Sequence, residues 1–254
     1  MSEKDIIIEA KNLHLGYGNV SILNNVSFEV NRGEIFVILG GSGCGKSTLL
    51  KHLIGLYKPI SGDITINGKS IVKSSSSEKK EIMKEFGVLY QSGALFASLT
   101  LEENITLVLE EHSKLNFKER RAVANEKLSL VGLEKFNNYY PSAISGGMKK
   151  RAGLARAMAL NPKLLFFDEP SAGLDPVSSA DLDRLLIKLA REHNTTLVVV
   201  THELDSIYTI ADRVIMLDKE TKGIIAEGDP KKLKSESGNE WVKKFLNRDG
   251  LLHQ

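Results

Sequence analysis

Gly40-Gly41-Ser42-Gly43-Cys44-Gly45-Lys46-Ser47-Thr48 places a lysine and two hydroxyls behind a run of glycines. The spacing fits a loop wrapped around a chain of phosphates: glycine, four residues, then Gly-Lys-Ser. Glycines let successive backbone amides turn inward, where side chains would obstruct a triphosphate. Lys46 is suited to place a positive charge on the outer phosphates, and the Ser47 hydroxyl to take one position on Mg²⁺. The competing reading is a Gly-rich turn without chemistry. Its flanks argue against that, because an apolar run, Ile35 to Leu39, leads in and a helix-patterned run follows. The helix would aim its amino-terminal dipole into the loop. Cys44 stands at a variable position of the pattern, within the loop but without an expected redox role.

A second constellation is Leu164-Leu165-Phe166-Phe167-Asp168-Glu169, an apolar strand that ends in two acids. Burying carboxylates there is unfavourable unless a cation is near. Asp168 suits the Mg²⁺ sphere, through water, and Glu169 suits polarising the water that attacks a terminal phosphate. By itself such a pair is equally a surface turn; the phosphate loop tips the balance.

These residues need a scaffold that brings strand ends together. Asp5 to Ala10, Val26 to Val30, Glu34 to Leu39, Asp63 to Asn67 and Phe86 to Tyr90 read as strands, and Lys46 to Gly55 as a helix stopped by glycine. From about Leu101 to Leu160 the strand signal fades, and stretches such as Lys118 to Val131 and Met148 to Leu160 have helical periodicity. Strand and helix then alternate: Leu164 to Phe167, Val177 to Glu192, Thr196 to Val200, Glu203 to Ala211, Val214 to Leu217. That alternation predicts an α/β fold with a parallel sheet covered by helices. The Ser74 to Ser77 run reads as a solvated lead into a helix. Trp241, Val242, Phe245 and Leu246 form a short apolar face, expected to dock on the chain's own core.

The 254 residues suffice for one large domain, and 42% hydrophobic with 26% charged residues is ordinary globular usage. A net charge of +2 with dispersed Lys and Arg gives no footprint for DNA or RNA, so no nucleic-acid partner is expected. A lone cysteine excludes an intrachain disulfide framework. No run approaches the roughly 18 apolar residues of a spanning helix, and Met1-Ser2-Glu3-Lys4-Asp5 does not start a signal sequence, so any membrane role is expected to be peripheral.

Five further features complete an ordered set: Tyr17, Gln91, Ser145-Gly146-Gly147-Met148-Lys149 opening a helix about twenty residues before the acidic strand, Ser171 to Asp175 after it, and His202 after the strand Thr196 to Val200. Singly, Tyr17 and His202 read as structural residues and Ser-Gly-Gly as a helix cap. As a set, over almost the full length, they resemble the ABC ATPase family of phosphate-loop NTPases. The resemblance implies a mainly parallel sheet with an antiparallel β subdomain and an inserted helical subdomain. Residues 1–91 and 161–235 would form the core, about 92–160 the helical subdomain, and 236–254 a C-terminal helical tail of one domain spanning 1–254. It implies ATP and Mg²⁺ as ligands. Tyr17 would stack on adenine, Gln91 would sense Mg²⁺ and the transport partner, and His202 would contact the terminal phosphate. Ser145, Gly146 and Gly147 would be the signature that reaches ATP held by a second copy of the chain, in a head-to-tail dimer, and Asp175, in the loop after the acidic strand, would also contact the nucleotide.

The commonest signature has leucine where Ile144 stands and glutamine where Met148 stands. Methionine lacks the amide, though its backbone N–H still meets phosphate. Ser-Gly-Gly-Met, with Tyr90-Gln91-Ser92-Gly93-Ala94-Leu95-Phe96, is similar to the ATPases of the Mla/Mce class, which move phospholipid between membranes. That similarity implies integral-membrane permease subunits and an MCE-type lipid-binding subunit as partners, at the cytoplasmic face of the inner membrane. Leu95 and Phe96 are expected to pack within the helical subdomain, to line the groove that receives the permease's coupling helix, or to do both. An importer ATPase for polar amino acids or other small solutes is the alternative within the family. A soluble ABC protein of DNA repair or translation would carry a coiled-coil insertion or two cassettes. A regulator without turnover is disfavoured by intact Lys46, Asp168, Glu169 and His202.

Overall fold

The computed structural model describes residues 5–248. Met1 to Lys4 of the expected leaderless start, and residues 249–254 of the expected tail, lie outside them.

β1 (Ile6–Tyr17) and β2 (Val20–Asn31) pair as an antiparallel hairpin turned by Gly18, at φ 55, and Asn19. Both outrun the expected strands, which covered only Asp5 to Ala10 and Val26 to Val30. Register shifts flank Asn12 and Asn25, each at φ near 50, so the alternation breaks without ending the strand. β3 (Ile35–Gly40) is buried at every position. α1 (Lys46–Leu53) follows, and Gly55, at φ 72, donates its N–H to the His52 carbonyl and ends the helix as expected.

β4 (Ser61–Ile66) and the two-residue β5 (Lys69–Ser70) complete a four-stranded antiparallel sheet of order β2-β1-β4-β5. The serine run is the polar lead-in expected: Ser75 caps α2 (Ser76–Met83) reciprocally with Glu78. After β6 (Phe86–Leu89) come α3 (Leu101–His112), α4 (Phe117–Leu130) and α5 (Gly146–Ala157), packed on one another. β7 (Leu164–Asp168), α6 (Pro176–His193), β8 (Thr196–Val200), α7 (Leu204–Ile210) and β9 (Arg213–Asp218) restore the alternation. β10 (Gly223–Gly228), α8 (Pro230–Glu236) and α9 (Glu240–Asn247) complete the described residues. β5, β10 and α8 have no counterpart among the expected elements, being too short or too half-buried to show a period.

The second sheet runs β10-β9-β3-β8-β7-β6, parallel throughout except for β10 on β9. Successive residues of its strands face opposite cores. Phe36, Ile38, Phe166, Val198 and Val200 pack with α1 and the antiparallel sheet. Ile35, Val37, Leu39, Leu165, Phe167, Leu197 and Val199 pack with the helices on the other face. Val242 and Leu246 of α9 are buried in that second core, with Phe245 packed partly against it, and Tyr208 donates to the Leu246 carbonyl at 2.6 Å; the expected docking holds for these three, whereas Trp241 stays 41% exposed. The phosphate loop, Gln91, Asp168-Glu169 and His202 all follow the carboxyl ends of adjacent parallel strands, β3, β6, β7 and β8.

Candidate functional site

Strand β3 ends in a loop that only glycine can make. Gly40, Gly43 and Gly45 stand at φ 147, 75 and 101. A Cβ on Gly40 would lie 2.4 Å from the Leu217 carbonyl and 2.6 Å from Cys44 Sγ. Lys46 Nζ donates to the carbonyls of Gly40 at 2.8 Å and Gly41 at 3.1 Å, which fixes the cation across the loop. Cys44 turns its thiol into the core, where burial pushes its pKa up against the pull of Lys46. It meets the loop through backbone alone.

The loop borders a cavity of about 680 Å³. Gly40, Gly41, Ser42, Gly43, Gly45, Lys46, Ser47 and Thr48 line it from one side, and Gln91, Glu169 and His202 from the other. Asp168 stands just behind, accepting from the Ser47 hydroxyl at 3.5 Å. Its carboxyl pKa is raised, by burial first and by neighbouring Glu169 second, while Lys51 pulls it down. A divalent cation would relieve both causes. Glu169 holds a left-handed backbone, φ 48, rare for a side-chain-bearing residue and worth about 1–3 kcal/mol of strain. Oε1 of Glu169 lies 2.9 Å from His202 Nδ1, and Oε2 is buried without a protein partner. An ionised oxygen in that position is costly unless water or another donor meets it.

The other expected residues fall outside the cavity. Tyr17 donates to Thr48 Oγ1 at 3.4 Å and stands edge-on to Tyr57, ring centres 5.1 Å apart. Its ring is thereby held at the rim. Asp175 caps α6, accepting from the backbone of Val177 and Ser178 at 3.1 and 3.0 Å and from the Ser178 hydroxyl at 2.5 Å. These bonds hold its carboxyl below the usual range, the Ser178 hydroxyl contributing most. Ser145 caps α5 by accepting from Met148 N at 3.2 Å. Ser145 and Gly146 are exposed, and a Cβ on Gly146 would meet nothing within 4 Å. So the phosphate-loop half of the set is assembled within the chain, and the Ser-Gly-Gly turn faces outward.

Ile22, Leu204 and Phe245 also line the cavity, and the sequence did not single them out for it. Phe245 stacks on Trp241 at 5.4 Å between ring centres, and the Trp241 ring passes close to Gly41. Only an apolar helical face hinted at it. Lys150 of α5, 6% exposed, donates to the Glu169 carbonyl at 3.3 Å. Its one sequence signal is a charge on the inward face of a helix.

Residues 23–172 match the protein family described as ABC transporter. Among curated proteins, the probable ribonucleotide transport ATP-binding protein mkl of Mycobacterium leprae is 42% identical over 242 residues, 95% of this chain and 69% of that protein. The intermembrane phospholipid transport system ATP-binding protein MlaF of Haemophilus influenzae is 39% identical, over 89% of this chain and 85% of that one. The glycine betaine/carnitine transport ATP-binding protein GbuA of Listeria monocytogenes is 38% identical over 88% of this chain and 56% of that protein. Among solved structures, the dimeric post-hydrolysis state of the ATP-binding cassette MJ0796, bound to ADP and Pi, superposes with a TM-score of 0.79 at 32% identity. That match covers 88% of this chain and 98% of the other.

Proposed function

The chain belongs to the ABC transporter family as an ATP-binding, ATP-hydrolysing subunit, and on that premise we propose that it works as one of a head-to-tail pair that powers phospholipid transport through separate permease subunits. The observation that carries the catalytic half is the convergence of Lys46, Ser47, Gln91, Glu169 and His202 on one cavity.

In this reading the loop amides and Lys46 bind the β- and γ-phosphates of ATP, and Tyr17 stacks on the adenine. Ser47, Gln91 and, through water, Asp168 hold Mg²⁺. The ion supplies charge neutralisation at the phosphates. Glu169 Oε2 accepts a hydrogen bond from the attacking water and polarises it toward the γ-phosphorus, while His202 holds Oε1 and faces the terminal phosphate. Ser145, Gly146 and Gly147, exposed at the start of α5, complete the phosphate site of the second copy. A two-fold axis makes two such composite sites at once. ATP binding closes the pair, and hydrolysis reopens it. Replacing Glu169 by Gln should preserve ATP binding and stop turnover, read by phosphate release; wild-type hydrolysis in that variant would refute the assignment.

The phospholipid cargo rests on the similarity to MlaF over most of that protein's length and on two local features. One is Met148 in the signature turn. The other is the segment after Gln91, where Leu95 packs on the helical core and Phe96 stays exposed, 53% accessible. Asn104 pins the Phe96 backbone from both sides, at 2.8 and 3.1 Å, so an apolar ring is presented on a rigid mount. Such a surface suits a permease helix. The similarity to a betaine transport ATPase supports a small-solute importer as the second reading. Copurification from membranes decides between them: a permease accompanied by an MCE-type lipid-binding subunit supports phospholipid, and a permease with a solute-binding protein supports the importer. In either case the chain sits at the cytoplasmic face, peripheral through its permease.

A further inference from the structure

Helix α5 is known so far by its first residues, yet its inward face touches the catalytic loop of the same chain. Lys150 lies five residues beyond Ser145, is almost wholly buried, and donates from Nζ to the backbone carbonyl of Glu169 at 3.3 Å. Lysine is rarely buried without a compensating partner. Here burial pushes its pKa down, and the carboxylates of Glu203, Glu169 and Asp168 pull it back. It is an interior counter-charge beside the acids at the end of β7.

The same stripe of α5, at helical spacing, carries Gly153 and Arg156. A Cβ on Gly153 would lie 2.8 Å from the Gly93 carbonyl, so helix and loop backbones touch. Arg156 donates to the Ala94 carbonyl at 2.6 Å and to the Gly93 carbonyl at 3.4 Å. One rigid helix therefore grips the loop after Gln91 with one end of its face and the Glu169 loop with the other. Glu169 needs such a grip, because its left-handed backbone must be held by its surroundings. Its N–H donates to Val200 and its carbonyl accepts from Ala172 N at 3.2 Å. Lys150 supplies the third hold, and that hold comes from the helix that carries the signature.

We propose that Lys150 is a positioning residue for hydrolysis, fixing the backbone of Glu169 so that its carboxylate meets the attacking water only while α5 is seated against the core. The inference rests on Glu169 acting on that water. It makes the seat of the signature helix a condition for catalysis in the same chain, in addition to its contact with the other copy's nucleotide.

The test uses the full chain with Mg-ATP. Lys150→Met keeps the length and the apolar stem while removing donor and charge, and Lys150→Gln restores a donor without charge. Losing a charge-assisted bond that orients the catalytic carboxylate should lower kcat about tenfold to a hundredfold in the Met variant, with a smaller loss in the Gln variant. KM for ATP should stay within about twofold, since uniform binding is untouched. ATP-driven dimerisation should persist, as a merely structural defect would not allow. Unchanged kcat overturns the proposal. So does a fall in kcat that tracks lost ATP binding or dimerisation, and so does a failure of both variants to fold, which would assign Lys150 to the fold. Glu169→Gln runs alongside: if it hydrolyses like wild type, the reading of Glu169 fails; if it is inactive while both Lys150 variants turn over normally, the Lys150 proposal alone fails.

Discussion

The phosphate loop and the Ser-Gly-Gly turn are both glycine-bearing helix amino termini, yet the structure treats them oppositely. The first opens α1 inside a cavity shared with Gln91, Glu169 and His202. The second opens α5 on open surface, Ser145 spent on its own cap and Gly146 with no neighbour within 4 Å of a would-be Cβ. Both present unpaired N–H groups and a positive dipole end. In the proposed reading, the one is a finished half-site for a triphosphate and the other the complementary half for a second copy. On that proposal the subunit binds nucleotide alone and completes its chemistry only in a pair.

The comparison breaks most sharply at the largest effect. Glu169→Gln removes the proposed base from the finished half, and phosphate release should fall by about a hundredfold to ten-thousandfold, the usual contribution of a general base. ATP affinity, by filter binding, should hold. Next comes the outward half. Gly146→Asp places a carboxylate where there is room and where a helix start favours it, so the melting temperature should not drop. The same charge would face the partner's phosphates, so turnover and ATP-driven dimerisation should both be lost while monomer binding of ATP is kept. Undiminished turnover would mean that the turn meets no phosphate.

A smaller effect is expected at the rim of the finished half. Tyr17→Ala removes the aromatic surface proposed for adenine, and KM for ATP should rise about tenfold, the size of a base-stacking loss, with kcat little changed. Equal loss for a triphosphate without a base would contradict stacking. The smallest effect belongs to Met148→Gln. Because Met148 serves Ser145 through its backbone N–H, restoring the family's commoner side chain should change kcat by less than about threefold.

Much of the finished half was legible because it is written contiguously. Gly40 to Thr48 and Leu164 to Glu169 each announce a strand end and its chemistry, and the parallel sheet follows from their alternation with helices. What the sequence hid depends on long-range approach. β1 and β2 looked short because Asn12 and Asn25 shift the register, and local period cannot tell a bulge from a strand end. Phe245 and Ile22 reach the cavity only through the docking of α9 and the curl of the hairpin. Lys150 gave no motif at all, since its partner is a backbone carbonyl in another element. Cys44 shows the converse: it sits within the most recognisable motif, and its side chain points away from the site.

If two half-sites are joined by nucleotide, the mass of Glu169→Gln in solution should answer to ATP, and the response should be lost when Gly146→Asp is combined with it. Glu169→Gln should be a monomer without ATP, a dimer with it, and a monomer that still binds ATP when Gly146→Asp is added. A chain that stays monomeric with ATP, or a dimer indifferent to ATP and to Gly146→Asp, would contradict the joining of half-sites by nucleotide.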